Sequence, residues 1–306
     1  MTGQDDRNTV TLEDGRLLEY RVFSTPDVPP SAPTILFFHG SPGSSPEGEA
    51  FSTSNIIKHQ ARLISISRPG YGTSTIRLES TILGWAKDVL AVADHLGIEQ
   101  FSIAAFSGGG PFALACLASI PQQRLLRTAI VSGMWPGQLG KNETLAITRI
   151  IHWASVTPIL STILPYLLEL AVGRSARNKQ KAAAFEARFV NDVGARHPRE
   201  AQCLENAEVR HAFVESTRDA FRGGCHGWAM EARLLNSEWN IPMRELDGTR
   251  LHVWHGAEDE NIPCRLAVQA ANSIKGCELH VVDGEAHVSL LASCADQILD
   301  RLLSPA

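Results

Sequence analysis

The 306 residues carry no surplus of positive charge: 28 Lys and Arg stand against 33 Asp and Glu, a formal net charge of −5. A mildly acidic chain lacks the basic footprint of a nucleic-acid binder and has no overall electrostatic pull toward anionic membranes. The six cysteines (116, 203, 225, 264, 277 and 294) form no C-x-x-C pair and no Cys/His ligand spacing. That pattern fits reduced, mostly buried thiols rather than a disulfide framework or a metal site. Met1 to Arg7 is polar, carries Asp5 and Asp6, and leads into no apolar run, so it does not read as a signal peptide. The most apolar segment, Ile159 to Val172, is interrupted by Pro165 and Glu169 and falls short of the roughly 20 residues that a bilayer-crossing helix needs. Internal repeats and low-complexity tracts are also missing. With 44% apolar and 20% charged residues the chain is not disordered. The expectation is a soluble cytoplasmic protein with no nucleic-acid partner and no membrane span.

What is present alternates. Val10 to Glu13, the turn Asp14-Gly15, and Arg16 to Phe23 read as a β-hairpin. After a Pro-rich loop, Thr34 to His39 and Ala61 to Ser67 are short apolar runs suited to strands buried on both faces. Ser80 to His95 has helical spacing and ends before Gly97. Phe101 to Phe106 is a strand, Pro111 to Ile120 a helix and Arg127 to Ser132 a strand. Strands alternating with helices imply a largely parallel sheet. From Trp135 to Leu246 the strand-like runs stop, and helices are expected over Leu145–Ala154, Pro158–Val172, Lys179–Val193 and Pro198–Arg222. The alternation resumes with strands at Arg250–His255 and Glu278–Val282 and helices at Arg265–Ser273 and Val288–Leu303. The expected organisation is a core of residues 1–134 and 247–306 with residues 135–246 inserted as a helical lid.

One turn stands out chemically. Ala104-Ala105-Phe106-Ser107-Gly108-Gly109-Gly110 lies between a strand and a helix, where small neighbours allow a tight turn that lifts a serine above the strand ends. It is a G-x-S-x-G elbow with Ala105 in place of the first glycine. A serine needs a base, and the base needs an acid to orient it. Acids follow the strand ending at His255 (Glu258, Asp259, Glu260), and His287 follows the strand ending at Val282. His252 and His280 fall within strands and read as sheet histidines. An oxyanion needs two backbone amides. Gly108 supplies one from the elbow, and Ser41, in His39-Gly40-Ser41-Pro42-Gly43-Ser44, is the candidate for the other.

These segments, together with Arg68-Pro69-Gly70-Tyr71-Gly72-Thr73-Ser74, resemble the α/β-hydrolase superfamily in its serine-nucleophile branch with an inserted cap. The likeness runs along nearly the whole chain. It implies an α/β-hydrolase fold with a mostly parallel eight-stranded sheet flanked by helices, and it implies no cofactor. It selects Asp259 among the three acids, through Gly256-x-x-Asp259-x-x-Ile262-Pro263, and so implies the triad Ser107, Asp259 and His287. Epoxide hydrolases and haloalkane dehalogenases of similar build use an aspartate at the elbow, which Ser107 argues against. Prolyl aminopeptidases share the H-G-x-P-G loop, but their elbow carries a tryptophan after the serine, and they need lid carboxylates, for which Glu205, Glu208, Glu215 and Glu231 are the candidates.

The reading that follows is a serine hydrolase, esterase-like, that cleaves an ester, lactone or thioester through an acyl-enzyme. Carbon–carbon bond hydrolases and lyases and acyltransferases reuse the same residues, and a non-catalytic small-molecule receptor is a further alternative. A lid rich in apolar residues suggests a medium-sized hydrophobic substrate, with Phe106, Trp135 and Trp228 as pocket candidates and Trp153 beside them. A lid acting as a protein interface would instead expose an apolar face on Ile159–Val172.

Overall fold

The turn Asp14-Gly15 sets the first register of the sheet. Gly15 adopts φ +81° and the amide of Leu12 donates to Arg16 O, so β1 (Asn8–Thr11) folds back antiparallel on β2 (Leu17–Phe23). The computed structural model describes residues 7–25, 27–51, 53–140 and 145–304. The other strands are β3 (Thr34–Phe38), β4 (Arg62–Ile66), β5 (Phe101–Phe106), β6 (Leu125–Val131), β7 (Leu251–Gly256) and β8 (Glu278–Val282). They form one eight-stranded sheet in the order β1-β2-β4-β3-β5-β6-β7-β8. Only the pairings of β2 are antiparallel; β4, β3 and β5 to β8 run parallel.

Alternation along the central strands feeds two apolar layers. Leu36 and Phe38 point to one face and Ile35 and Phe37 to the other. The first face is covered by α2 (Trp85–His95), α3 (Gly110–Ser119) and α11 (Cys264–Ser273). The second is covered by α1 (Thr53–Lys58) and by α12 (His287–Leu303), which buries Leu290, Leu291, Ile298 and Leu299. With both faces covered, β3, β5 and β7 are buried along their whole length.

Between β6 and β7 the described residues contain helices and no strand. In order they are α4 (Ala146–Val156), α5 (Pro158–Leu168), α6 (Arg174–Arg177), α7 (Ala182–Gly194), α8 (Pro198–Cys203), α9 (Ala207–Ala220) and α10 (His226–Asn236). Two expectations need correcting, and one helix was not foreseen. The helix expected over Pro198–Arg222 is two helices, because Asn206 caps α9 by accepting the amides of Glu208 (2.9 Å) and Val209 (3.4 Å). α10 had no sequence signal, since its buried face is made of Gly227, Ala229, Glu231 and Ala232 together with Leu235, small or charged rather than uniformly large and apolar. Pro165 does not end α5. A π-turn over Glu169–Gly173 carries the helix on into α6, giving a continuous 20-residue helix, Pro158–Arg177, with a mean hydropathy of 1.2. By length and composition that helix is sufficient to cross a membrane, contrary to the expectation that the segment is too short. Here it packs one face through Leu164, Pro165, Leu168 and Ala176.

Candidate active site

β5 ends at Phe106, and Ser107 follows with φ +50°, the left-handed region that a residue with a Cβ enters only when its surroundings hold it there. Those surroundings are crowded. A Cβ on Gly109 would lie 2.4 Å from Phe38 O, and one on Gly108 would lie 2.6 Å from Ser41 Cβ and 3.1 Å from Ser41 N. Ala105, which departs from the usual glycine, is fully buried in β5 opposite Phe38 and Ile130, so its methyl is absorbed by the sheet's packing.

The ends of β7 and β8 bring two further side chains to this turn. Ser107 Oγ lies 2.9 Å from His287 Nε2, and His287 Nδ1 lies 2.8 Å from Asp259 Oδ2. The other oxygen, Oδ1, accepts the amides of Asn261 and Ile262, both at 2.9 Å. Burial works to raise the pKa of Asp259, but the charge of His287 and hydrogen bonds from His255 and His287 outweigh it and hold the carboxyl well below the usual range. Its neighbours Glu258 and Glu260 are exposed. Ser107, Asp259 and His287 are each at least 91% buried, and Ser41 packs closely against Gly108, the residue after Ser107. In this arrangement the imidazole is placed to take the serine proton while an ionised carboxylate fixes its tautomer.

A family model described as the α/β hydrolase fold matches residues 33–161. The chain is 30% identical over 136 residues to the uncharacterized hydrolase YcgS of Bacillus subtilis (strain 168), covering 44% of each chain. It is 29% identical over 128 residues, 42% of this chain and 45% of the relative, to the bifunctional esterase/perhydrolase DCH of Acinetobacter calcoaceticus. The matched stretch thus spans less than half the length of these curated relatives. A thermophilic esterase from Thermogutta terrifontis shares the fold over 98% of both chains, at 16% identity and a TM-score of 0.64. The chain has the α/β-hydrolase fold.

In this fold Ser107 and His287 face a cavity of about 220 Å³ whose wall includes Phe106, Met134, Leu145, Phe189, Val193 and Phe213. Of the three sequence-stated pocket candidates only Phe106 lines it. Trp135 packs into the core cluster on the first face of the sheet, and Trp228 stacks edge-on against Phe221 at 5.6 Å inside the helical segment. Trp153 is 60% exposed on α4. Tryptophan content alone does not separate these three settings.

The four glutamates weighed as amine holders are also elsewhere. Glu205 and Glu208 are exposed and Glu215 pairs with Arg218 at 2.7 Å. Glu231 is buried in a bidentate pair with Arg68 (2.6 and 2.9 Å) and accepts the hydroxyl of Tyr71 at 3.0 Å. Arg68 in turn donates to the carbonyls of His39 (2.5 Å) and Gly40 (2.8 Å), the two residues before Ser41. Its own amide donates to His39 Nε2 at 3.1 Å, which leaves Nδ1 to donate to Gly40 O at 2.8 Å. Burial first and the Arg68 charge second push His39 well below the ordinary imidazole pKa, so it is a neutral structural group.

Two more buried carboxylates adjoin the site. Glu47 Oε1 accepts the Gly40 amide at 2.6 Å and Oε2 accepts the Ser216 hydroxyl at 3.0 Å; burial raises its pKa to about 7. Glu200, on α8, accepts the amides of Val288 and Ser289. Arg68 and Tyr71 carried a signal, since they lie in the quoted R-P-G-Y-G run, whereas Glu47 and Glu200 stand in no motif.

Among the described residues two clusters have ligand-type atoms within 4.8 Å of one another, His252–Glu278–His280 and His59–Asp296–Asp300. Both carboxylate hubs already have a cation, Arg301 on Glu278 at 3.0 Å and Lys58 on Asp296 at 2.6 Å. The first cluster starts at the N-terminal ends of β7 and β8, opposite the strand ends that carry the site. Neither adjoins Ser107.

Proposed function

We propose that this chain is a serine hydrolase that cleaves a carboxylic ester, lactone or thioester of a medium-sized hydrophobic small molecule. The observation that carries the reading is the continuous chain of contacts from Ser107 Oγ through His287 to Asp259, at 2.9 and 2.8 Å, with Ser41 packed against Gly108 beside it. Ser107 Oγ attacks the carbonyl carbon as His287 Nε2 takes its proton. The amides of Ser41 and Gly108 stabilise the oxyanion, a contribution that in such sites amounts to about 10²–10³ in rate per donor. His287 returns the proton to the leaving oxygen or sulfur, which departs and leaves the acyl group on Ser107. Water, deprotonated by His287, then attacks the acyl carbon and frees the acid. Asp259 stabilises the imidazolium in both halves.

The small cavity with its mostly apolar wall supports a hydrophobic substrate, and the esterase named among the relatives supports ester chemistry. The aminopeptidase alternative loses support because Glu231 is committed to Arg68 and none of the other three glutamates lines the cavity. A fluorophosphonate probe tests the reading. A covalent adduct, seen by intact mass, is expected on the wild type and absent in Ser107→Ala and His287→Ala. Esters and thioesters of graded chain length then define the substrate. No adduct on folded protein favours a receptor that holds a small molecule without turning it over.

A further inference from the structure

The helical segment turns apolar side chains outward as well as inward. On α4, Ile151 and Ser155 are buried, while Ile147, Ile150, Trp153 and Val156 are exposed at every third position. On α5 and its continuation the buried set is Leu164, Pro165 and Leu168. The opposite face presents Ile159, Ile163, Tyr166, Leu167 and Leu170 at positions i, i+4, i+7, i+8 and i+11. Ile159 is 77% exposed, Tyr166 and Leu170 63% each. Large side chains exposed together on two consecutive packed helices far exceed the single exposed apolar residues that a water-facing surface tolerates.

The charges on this stretch run against those of the chain. Residues 145–182 hold five basic side chains (Arg149, Arg174, Arg177, Lys179, Lys181) and one acid, Glu169, in a protein of net charge −5. Glu169 is spent on Arg177. Arg149 stands between Ile147 and Ile150, and Arg174 follows Leu170 by one turn on the same face. An apolar face with Trp and Tyr on it and Lys and Arg around it is the composition of a helix that lies in a lipid interface. Two copies meeting face to face would instead bring the same cationic rims together, since a two-fold contact pairs identical patches.

We propose that α4 and the 158–177 helix form a docking face for an anionic lipid surface, lying in the headgroup region rather than crossing it. Basic residues are attracted to such a surface within a Debye length of it. The same helix also borders the cavity: Leu145 and Thr148, at the start of α4, line the space around Ser107. The docking itself does not depend on the chemistry assigned to Ser107.

Flotation of the full chain with vesicles of phosphatidylcholine alone, or with 30% phosphatidylglycerol, is the test. Binding to the anionic vesicles is expected, with about a tenfold or greater loss on omitting phosphatidylglycerol, on adding salt, or in the triple charge reversal Arg174→Glu/Lys179→Glu/Lys181→Glu. Ile163→Glu/Leu167→Glu should abolish it while leaving the circular-dichroism spectrum unchanged. Because the charge reversals are at exposed positions, they keep the test valid even where the apolar pair perturbs folding. Failure of the wild type to float with either vesicle overturns the proposal. So does a stable dimer in sedimentation velocity that Ile163→Glu/Leu167→Glu dissociates, since the face would then belong to a second copy.

Discussion

Glu200 holds the first turn of the helix that carries His287: its carboxylate accepts the amide of Val288 at 2.9 and 3.1 Å and that of Ser289 at 2.8 Å. The carboxylate is 99% buried and sits at the positive end of a 17-residue helix, where charge and unpaired amides both favour an anion. Glu200 is therefore a positioning residue for His287, reached from a segment 88 positions earlier in the chain. Glu200→Ala strands two buried amides and should lower stability by about 2–4 kcal/mol. It should reduce kcat for a model ester by about 10- to 100-fold through a misplaced imidazole. Glu200→Gln, which keeps an acceptor, should recover part of both. The informative readout is the split between kcat and KM. Partial unfolding alone would scale the apparent kcat only by the folded fraction, and a KM effect alone would remove the positioning role.

Gly108→Ala tests whether the Ser41 and Gly108 amides act as a pair. The added methyl meets Ser41 Cβ at 2.6 Å, so the loop carrying Ser41 must withdraw from the elbow. A fall in kcat of about 10²–10³, with the chain still folded, is the expected result. Unchanged kcat in steady-state ester hydrolysis would show that the two amides do not share an oxyanion.

Much of this was legible in the sequence because local rules and tertiary demands coincide. The central strands are apolar runs bounded by turns, and burial on both faces of β3 and β5 gave them no competing helical period. Ser107, Asp259 and His287 follow strand ends, so their approach to one another comes from the parallel sheet itself. The rest was hidden where contact partners are far apart in the chain. Nothing near Glu200 signals Val288, and nothing near Glu231 signals Arg68, 163 positions away. Trp135 and Trp228 were misplaced because an indole fits a core, a cavity wall or a surface equally well by composition. α10 was invisible because its inward face includes a charge whose partner lies on another element.

Glu47 should make stability depend on pH in an unusual direction. Its carboxyl is fully buried and its pKa is raised from 4.5 to about 7, chiefly by burial. The folded state then holds the proton more tightly than the unfolded state. The stabilisation is complete below pH 4.5 and is lost as pH rises through 7. Across that window the wild type should lose up to about 3 kcal/mol relative to Glu47→Gln, which does not titrate. Urea unfolding of both proteins at pH 5 and pH 8 checks this. Midpoints that shift in parallel would mean that Glu47 is ionised throughout.

The pair Arg68–Glu231 separates stability from activity. Both side chains are at least 98% buried, and Arg68 also tethers the carbonyls of His39 and Gly40. Glu231→Ala leaves a buried guanidinium without its counter-charge, a change expected to destabilise by about 3–5 kcal/mol. Replacing both partners together, Arg68→Met with Glu231→Leu, removes the uncompensated charge and should restore most of that stability, since buried ion pairs gain little over apolar residues of similar volume. Activity should not return with it. Without the guanidinium, His39 O loses its side-chain donor and Gly40 O keeps only the His39 ring nitrogen, so the loop carrying Ser41 loses two of the contacts that hold it. The double variant should unfold in urea near the wild-type midpoint yet hydrolyse esters at least about tenfold more slowly, through kcat. Wild-type kcat in a stable double variant would show that the loop holds its shape through Glu47 and its own turn alone.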